Sequence, residues 1–137
     1  MKKVISLILV VMMVASVLCG CGGSEAKDDN VLKVAIIQQL DHSSLDEIRN
    51  AIEEQLKDRA EEKGITVEIS YDNGQNDTSM LTQIATEVVA DSPDMIIPIA
   101  TLAAQYAVTA AEGTDIPIVY AAISDPETAG LTGIPTV

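Results

Sequence analysis

Leu32-Lys33-Val34-Ala35-Ile36-Ile37-Gln38-Gln39-Leu40, followed by Asp41-His42-Ser43-Ser44-Leu45, is the stretch whose reading decides the fold. The run is apolar almost without interruption, as suits a strand buried on both faces of a parallel sheet. Asp41, Ser43 and Ser44 then offer N-caps to a helix whose Leu45, Ile48, Ile52 and Leu56 recur on one face. Gly64 is placed to stop that helix. Beyond it Ile65, Val67 and Ile69 alternate with Thr66, Glu68 and Ser70, the pattern of a half-covered edge strand.

The same alternation of elements continues downstream. Asn76 or Asp77 can cap a second helix carrying Leu81, Ile84, Ala85, Val88 and Val89 on one stripe, and Ser92-Pro93 ends it. Met95 to Ala100 reads as a third strand, Thr101 as the cap of a third helix running through Ala111, and Ile116 to Ala122 as a fourth strand. Pro98 conflicts with this reading, because it cannot donate to a sheet ladder, and it is expected near the strand's exit. Pro117 falls at a strand's start, where proline is tolerated. The order βαβαβαβ implies an α/β fold: a Rossmann-like, mainly parallel sheet with helices on both faces, joined by right-handed crossovers.

Ahead of the domain, Lys2 and Lys3 precede the apolar run Val4 to Leu18, which ends in Leu18-Cys19-Gly20-Cys21. A basic head, a short apolar body and a small-residue cleavage site describe a secretory signal. The run falls short of the about 20 apolar residues that a membrane-spanning helix needs. Its end resembles a bacterial lipobox, so residues 1–20 are expected to be a lipoprotein signal peptide and Cys21 the lipid-bearing residue. Cys19 competes for that role but would place bulky Leu18 at the cleavage position. Residues 21–30 read as the lipidated cysteine and a small, polar, flexible tether, and residues 31–137 as one small α/β lobe.

Composition narrows the partners. Loss of residues 1–20 removes Lys2 and Lys3 and no acid, moving the formal net charge from −13 to −15. So acidic a domain repels nucleic acid and anionic headgroups, so no nucleic-acid partner is expected and membrane attachment is left to acyl chains alone. With two cysteines and one histidine, neither a zinc site nor a redox pair is expected, and no cofactor. There is no G-x-G-x-x-G after the first strand, no Walker A lysine and no G-x-S-x-G elbow, so the chain is not expected to be an enzyme.

In open parallel sheets, ligands bind beyond the carboxyl ends of the strands, where strand order reverses. Four loops are candidates: Gln39 to Ser44, Asp72 to Asp77, Thr101 to Ala104 and Ser124 to Gly130. Thr101 with Leu102-Ala103-Ala104 opens a helix on small residues and offers free N–H groups to an anion, or Thr101 is only an N-cap. His42 can polarise a ligand or be an exposed polar residue. Asp125-Pro126 can present a carboxylate to an ammonium group or simply initiate a turn. Gln38 and Gln39 can reach a ligand or close the strand end. Asn73-Gly74 reads as a turn and little else.

Between Lys33 and Leu131 these residues resemble the substrate-binding protein family of ABC transporters that includes tryptophan- and tyrosine-type binders. The specific stretches are Gln39-Leu40-Asp41-His42-Ser43-Ser44-Leu45-Asp46, Tyr71-Asp72-Asn73-Gly74-Gln75-Asn76-Asp77, Ala90-Asp91-Ser92-Pro93-Asp94, Ile99-Ala100-Thr101-Leu102-Ala103-Ala104-Gln105, and Ile116-Pro117-Ile118-Val119-Tyr120-Ala121-Ala122-Ile123-Ser124-Asp125-Pro126. The resemblance implies the first lobe of a two-lobed, periplasmic-binding-protein-like (type I) fold, with the second lobe apparently missing from this sequence. It implies ligand-binding roles for Thr101, Ala103, Ser124 and Asp125, and Gln39 and His42 stand beside them as candidate ligand-binding residues. It also implies a lipid-anchored extracytoplasmic protein that hands a small solute, expected to be an amino acid, aromatic ones included, to ABC permease subunits. A surface-anchored sensory module and a Rossmann-like enzyme domain are the alternative readings.

Overall fold

The computed structural model describes residues 30–131. The expected signal peptide, Cys21, the expected tether up to residue 29 and residues 132–137 lie outside the described part. Strand β1, Val31–Gln38, is the central strand expected from its apolar run, with Val34, Ala35, Ile36 and Ile37 all buried. It pairs in parallel with β2, Thr66–Asn73, on one side and with β3, Met95–Ile99, on the other. The sheet order is β2-β1-β3, so the chain steps to one side of β1 and then crosses back to the other.

Helix α1, Ser43–Lys63, covers one face of the sheet, where Leu45, Ile48, Ile52 and Leu56 pack on Val34, Ile36, Ile97 and Ile99. Helices α2, Thr78–Ala90, and α3, Thr101–Ala111, share the other face with Ala35, Ile37, Ile96 and Ile118. The alternating side-chain directions of β1 and β3 thus supply two separate apolar layers. Each fully buried Ile in those layers contributes on the order of 1.5–3 kcal/mol. Helix α3 presents Ala103, Ala107 and Ala111 to its layer, small side chains that let the helix backbone lie close to the sheet.

The helix ends follow the expected chemistry with one exchange of partners. Gly64 takes the left-handed conformation after α1, and Ile65 N–H donates back to Ala60 O at 3.0 Å. The N-cap of α1 is His42, whose Nδ1 accepts from Ser44 N–H at 3.3 Å. Asp41, expected as a cap, turns instead to Asn73 Nδ2 and accepts its N–H at 2.5 Å. For α2 the cap is Asp77, accepting from Met80 N–H at 2.8 Å.

The expected fourth strand is present in reduced form. Residues 116–122 lie beside β3 in parallel, yet only Ile118 and Ala121 form bridges, to Ile96 and Ile99. The bonds Ile96 N–H to Pro117 O, Val119 N–H to Ile96 O, Ala121 N–H to Pro98 O and Ala100 N–H to Ala121 O are all in place. The rung between them would run from residue 98 to Val119 O, and Pro98 has no N–H to make it. Pro98 is buried and penultimate in β3, at the exit end of the strand, as expected. Strand β2 is the expected edge, with Val67 and Ile69 half-buried against α1 and Thr66, Glu68 and Ser70 exposed.

Candidate functional site

The reversal of strand order falls between β1 and β3, so their carboxyl ends mark the crevice where α/β sheets bind ligands. Two glutamines leave the end of β1 toward opposite faces. Gln38, fully buried, donates through Nε2 to Leu40 O and to Asp46 Oδ1, both at 2.8 Å, and so closes the strand end against the first turn of α1. Gln39 turns to the α3 side, where its Oε1 accepts from Leu102 N–H at 3.0 Å and its Nε2 donates to Asn76 Oδ1 at 2.9 Å.

Backbone strain gathers at the same edge. Among the described residues, five non-glycine residues have positive φ, and four of them, Gln75, Asn76, Ala100 and Ala122, follow the carboxyl ends of β2, β3 and the fourth strand segment. Ala100, at φ 75° and ψ 161°, lies in a region that is essentially reserved for glycine. Strain of this kind costs on the order of 1–3 kcal/mol and concentrates at functional sites. Its local effect is to swing the chain out of β3 directly into α3, leaving Ala100 as an N-cap with no side-chain oxygen.

Thr101 is accordingly not the cap expected from sequence but the first residue of α3. The first intrahelical bond is Ala104 N–H to Ala100 O at 3.1 Å, so the amides of Thr101, Leu102 and Ala103 precede the helical ladder. Leu102 is satisfied by Gln39, and Thr101 and Ala103 flank it. Ala103 is wholly buried in the core beneath, backbone included, so it is not open to a ligand in this structure. His42 is exposed and committed to the first turn of α1 through Ser44.

Ser124 is exposed on the following loop, beside Asp125. Asp125 organises a turn: Oδ1 accepts Thr128 N–H at 3.1 Å, Oδ2 accepts Thr128 Oγ1–H at 2.6 Å, and its carbonyl accepts Ala129 N–H. The side-chain and backbone bonds from Thr128 hold its carboxyl below the usual aspartate range, so it stays ionised. Gln105 Nε2 donates to Ala129 O at 2.9 Å and ties this turn to α3 one helical turn beyond Thr101. Gln39, Thr101 and Ala103 are thus brought together around one helix end, Asp125 is linked to the same helix, and His42 belongs to α1.

Sequence reasoning missed three participants. Asn76 had a signal, since asparagine tolerates the left-handed region it occupies. Gly74 donates to Gln38 O at 2.9 Å and packs against Leu81, so it is more than a turn residue. Ala100 gave none, because alanine is an unexpected choice for its backbone conformation.

Comparison with known proteins places this geometry. Residues 33–134 match the family described as ABC transporter substrate binding protein. The chain belongs to that family. This substrate-binding protein is 35% identical over 140 residues to the tyrosine-binding protein of Clostridioides difficile strain R20291, covering 95% of the chain and 40% of that relative. A Streptococcus pneumoniae ABC domain in complex with L-Trp superimposes with a TM-score of 0.63 at 35% identity, over 72% of this chain and 32% of that one. The ligand-free, open structure of a Clostridium difficile substrate-binding protein with adhesive properties gives a TM-score of 0.66 at 36% identity, over 73% and 33%. The substrate-binding chain therefore spans well under half the length of these relatives.

Proposed function

We propose that this chain is the first lobe of a lipid-anchored, extracytoplasmic solute-binding protein that captures an aromatic amino acid and delivers it to ABC permease subunits. The observation that carries this reading is the likeness to part of an ABC domain solved in complex with L-Trp, together with the likeness to a tyrosine-binding protein. The geometry supplies a mechanism. The solute carboxylate sits at the start of α3, taking the Thr101 amide and hydroxyl at the positive end of the helix dipole. Asp125, kept ionised by Thr128, balances the amino group, with Ser124 beside it. Gln39 stands at the same helix end through Leu102, and His42 frames the rim on the α1 side. A second lobe closes over the solute and supplies ring partners, since Tyr71, Tyr106 and Tyr120 are the only aromatic residues of this sequence. Binding is non-covalent and involves no bond chemistry.

Calorimetry of the complete gene product against the amino acids tests this. L-Tyrosine or L-tryptophan is expected to bind, Thr101→Val to weaken binding about tenfold or more by removing a hydrogen bond to a charged group, and Asp125→Ala to weaken it comparably. Unchanged affinity in both variants would remove this site assignment. Cys21→Ser is expected to abolish acylation, read by partitioning of the protein into a detergent phase; continued partitioning would remove the anchor.

A further inference from the structure

Helix α3 begins without a cap of its own. Ala100 has no side-chain oxygen, and the oxygen that a Ser, Thr, Asp or Asn would supply to the second or third amide of the helix comes from a residue 63 positions earlier. That residue is Gln39, and each of its polar atoms has a partner. Its N–H donates to Ile99 O at 3.2 Å, and its carbonyl accepts Asn76 N–H at 2.7 Å. Its Oε1 accepts Leu102 N–H, and its Nε2 donates to Asn76 Oδ1. Gln39 and Asn76 therefore hold each other at two points, through backbone and side chain, while Asn76 sits in the left-handed conformation at φ 58°.

We propose that Gln39 is the positioning residue of the solute site: it caps α3 in trans and couples the turn Gly74–Asp77 to that helix end. With all four polar atoms engaged, the Gln39 side chain is fixed in place, and it acts on the solute by positioning the groups it holds. It also apportions the first-turn donors of α3. Leu102 N–H is consumed by the protein, and Thr101 N–H just ahead of it is left to an anion. Loss of the amide frees the middle donor and unties the strained Ala100 junction from the turn after β2. Binding then depends on Asn76, a residue that carries no charge and belongs to another loop.

The affinity half of this inference rests on the solute-binding reading above; the capping half does not. Amide hydrogen exchange and calorimetry with L-tyrosine on the complete protein separate them. In the parent protein without solute, Leu102 is expected to exchange more slowly than Thr101. Gln39→Leu is expected to abolish that protection and to weaken L-tyrosine about fivefold. Asn76→Ala is expected to lose part of both, and the double variant to be no worse than Gln39→Leu alone. Gln39→Glu keeps an oxygen for Leu102 and is expected to retain the protection, which guards against a Gln39→Leu variant that fails to fold.

Three outcomes overturn the proposal. If Leu102 exchanges as fast as Thr101 in the parent protein, the cap does not exist in solution. If Asn76→Ala leaves both readouts unchanged, the coupling to the second turn is wrong. If Gln39→Leu loses affinity while Leu102 stays protected, Gln39 contacts the solute directly. Should the exchange pattern hold while no amino acid binds the parent protein, the solute reading fails and the Gln39 cap stands.

Discussion

Pro98 stands in β3 where the carbonyl of Val119 would meet a backbone donor, and that single missing rung divides the fourth strand into bridges at Ile118 and Ala121. Pro98→Ala restores the donor. One net hydrogen bond is worth about 0.5–1.5 kcal/mol, while losing proline's restriction of the unfolded chain costs about 0.4–1 kcal/mol. Global stability is thus expected to change by less than about 1 kcal/mol. The amide introduced at position 98 is expected to be strongly protected from exchange. A rapidly exchanging amide would show that the fourth segment does not pair there.

Ala100 pays for its glycine-like conformation with strain of about 1–3 kcal/mol, against which glycine's extra freedom in the unfolded chain is worth about 0.5–1 kcal/mol. Ala100→Gly is expected to stabilise the protein by about 1 kcal/mol in urea denaturation, and Ala100→Val to destabilise it. Destabilisation by glycine would mean that the Ala100 conformation is not strained.

A Cβ added at Gly74 would run into Leu81 Cγ and Cδ2, at the start of the fully buried stripe of α2. Gly74→Ala is expected to cost about 1–3 kcal/mol by overpacking. Leu81→Ala should be milder in the Gly74→Ala background than alone, because each change makes room for the other. Additive losses in a denaturation cycle would place the two residues apart.

Asp125 gains its depressed pKa chiefly from Thr128. A folded value below the unfolded one stabilises the turn at pH above the unfolded carboxylate range, near 3.9, and that contribution is lost as pH falls through the folded value. Side-chain carboxyl NMR is expected to show Asp125 titrating below free aspartate, with Thr128→Val moving it back up. An unmoved midpoint in Thr128→Val would assign the shift elsewhere.

The layers of this fold were legible because burial on both faces leaves an unbroken apolar run, Val34 to Ile37, that no other element type explains as well. The stripe Leu45, Ile48, Ile52 and Leu56 and the stop at Gly64 were equally readable, since helix period and left-handed glycine are local properties. The caps were harder. His42 displaced Asp41 because Asn73, 32 residues away, claimed the aspartate, a contact that no local pattern encodes. Thr101 followed the same logic: Ala100 entered a conformation alanine seldom takes, the helix began one residue earlier than a threonine cap requires, and Gln39 supplied the oxygen from across the sheet. The fourth strand was visible as an apolar run, and Pro98 was recognised as an obstacle, but its cost falls on the neighbouring strand rather than on its own.

The most direct test compares L-tyrosine with tyramine, its decarboxylated analogue, by calorimetry on the complete protein. A carboxylate held by the Thr101 amide and hydroxyl at the start of α3 should make tyramine bind about 100-fold more weakly or not at all, as loss of about two charge-assisted hydrogen bonds implies. Tyramine binding as tightly as L-tyrosine would contradict the placement of the carboxylate at this helix end.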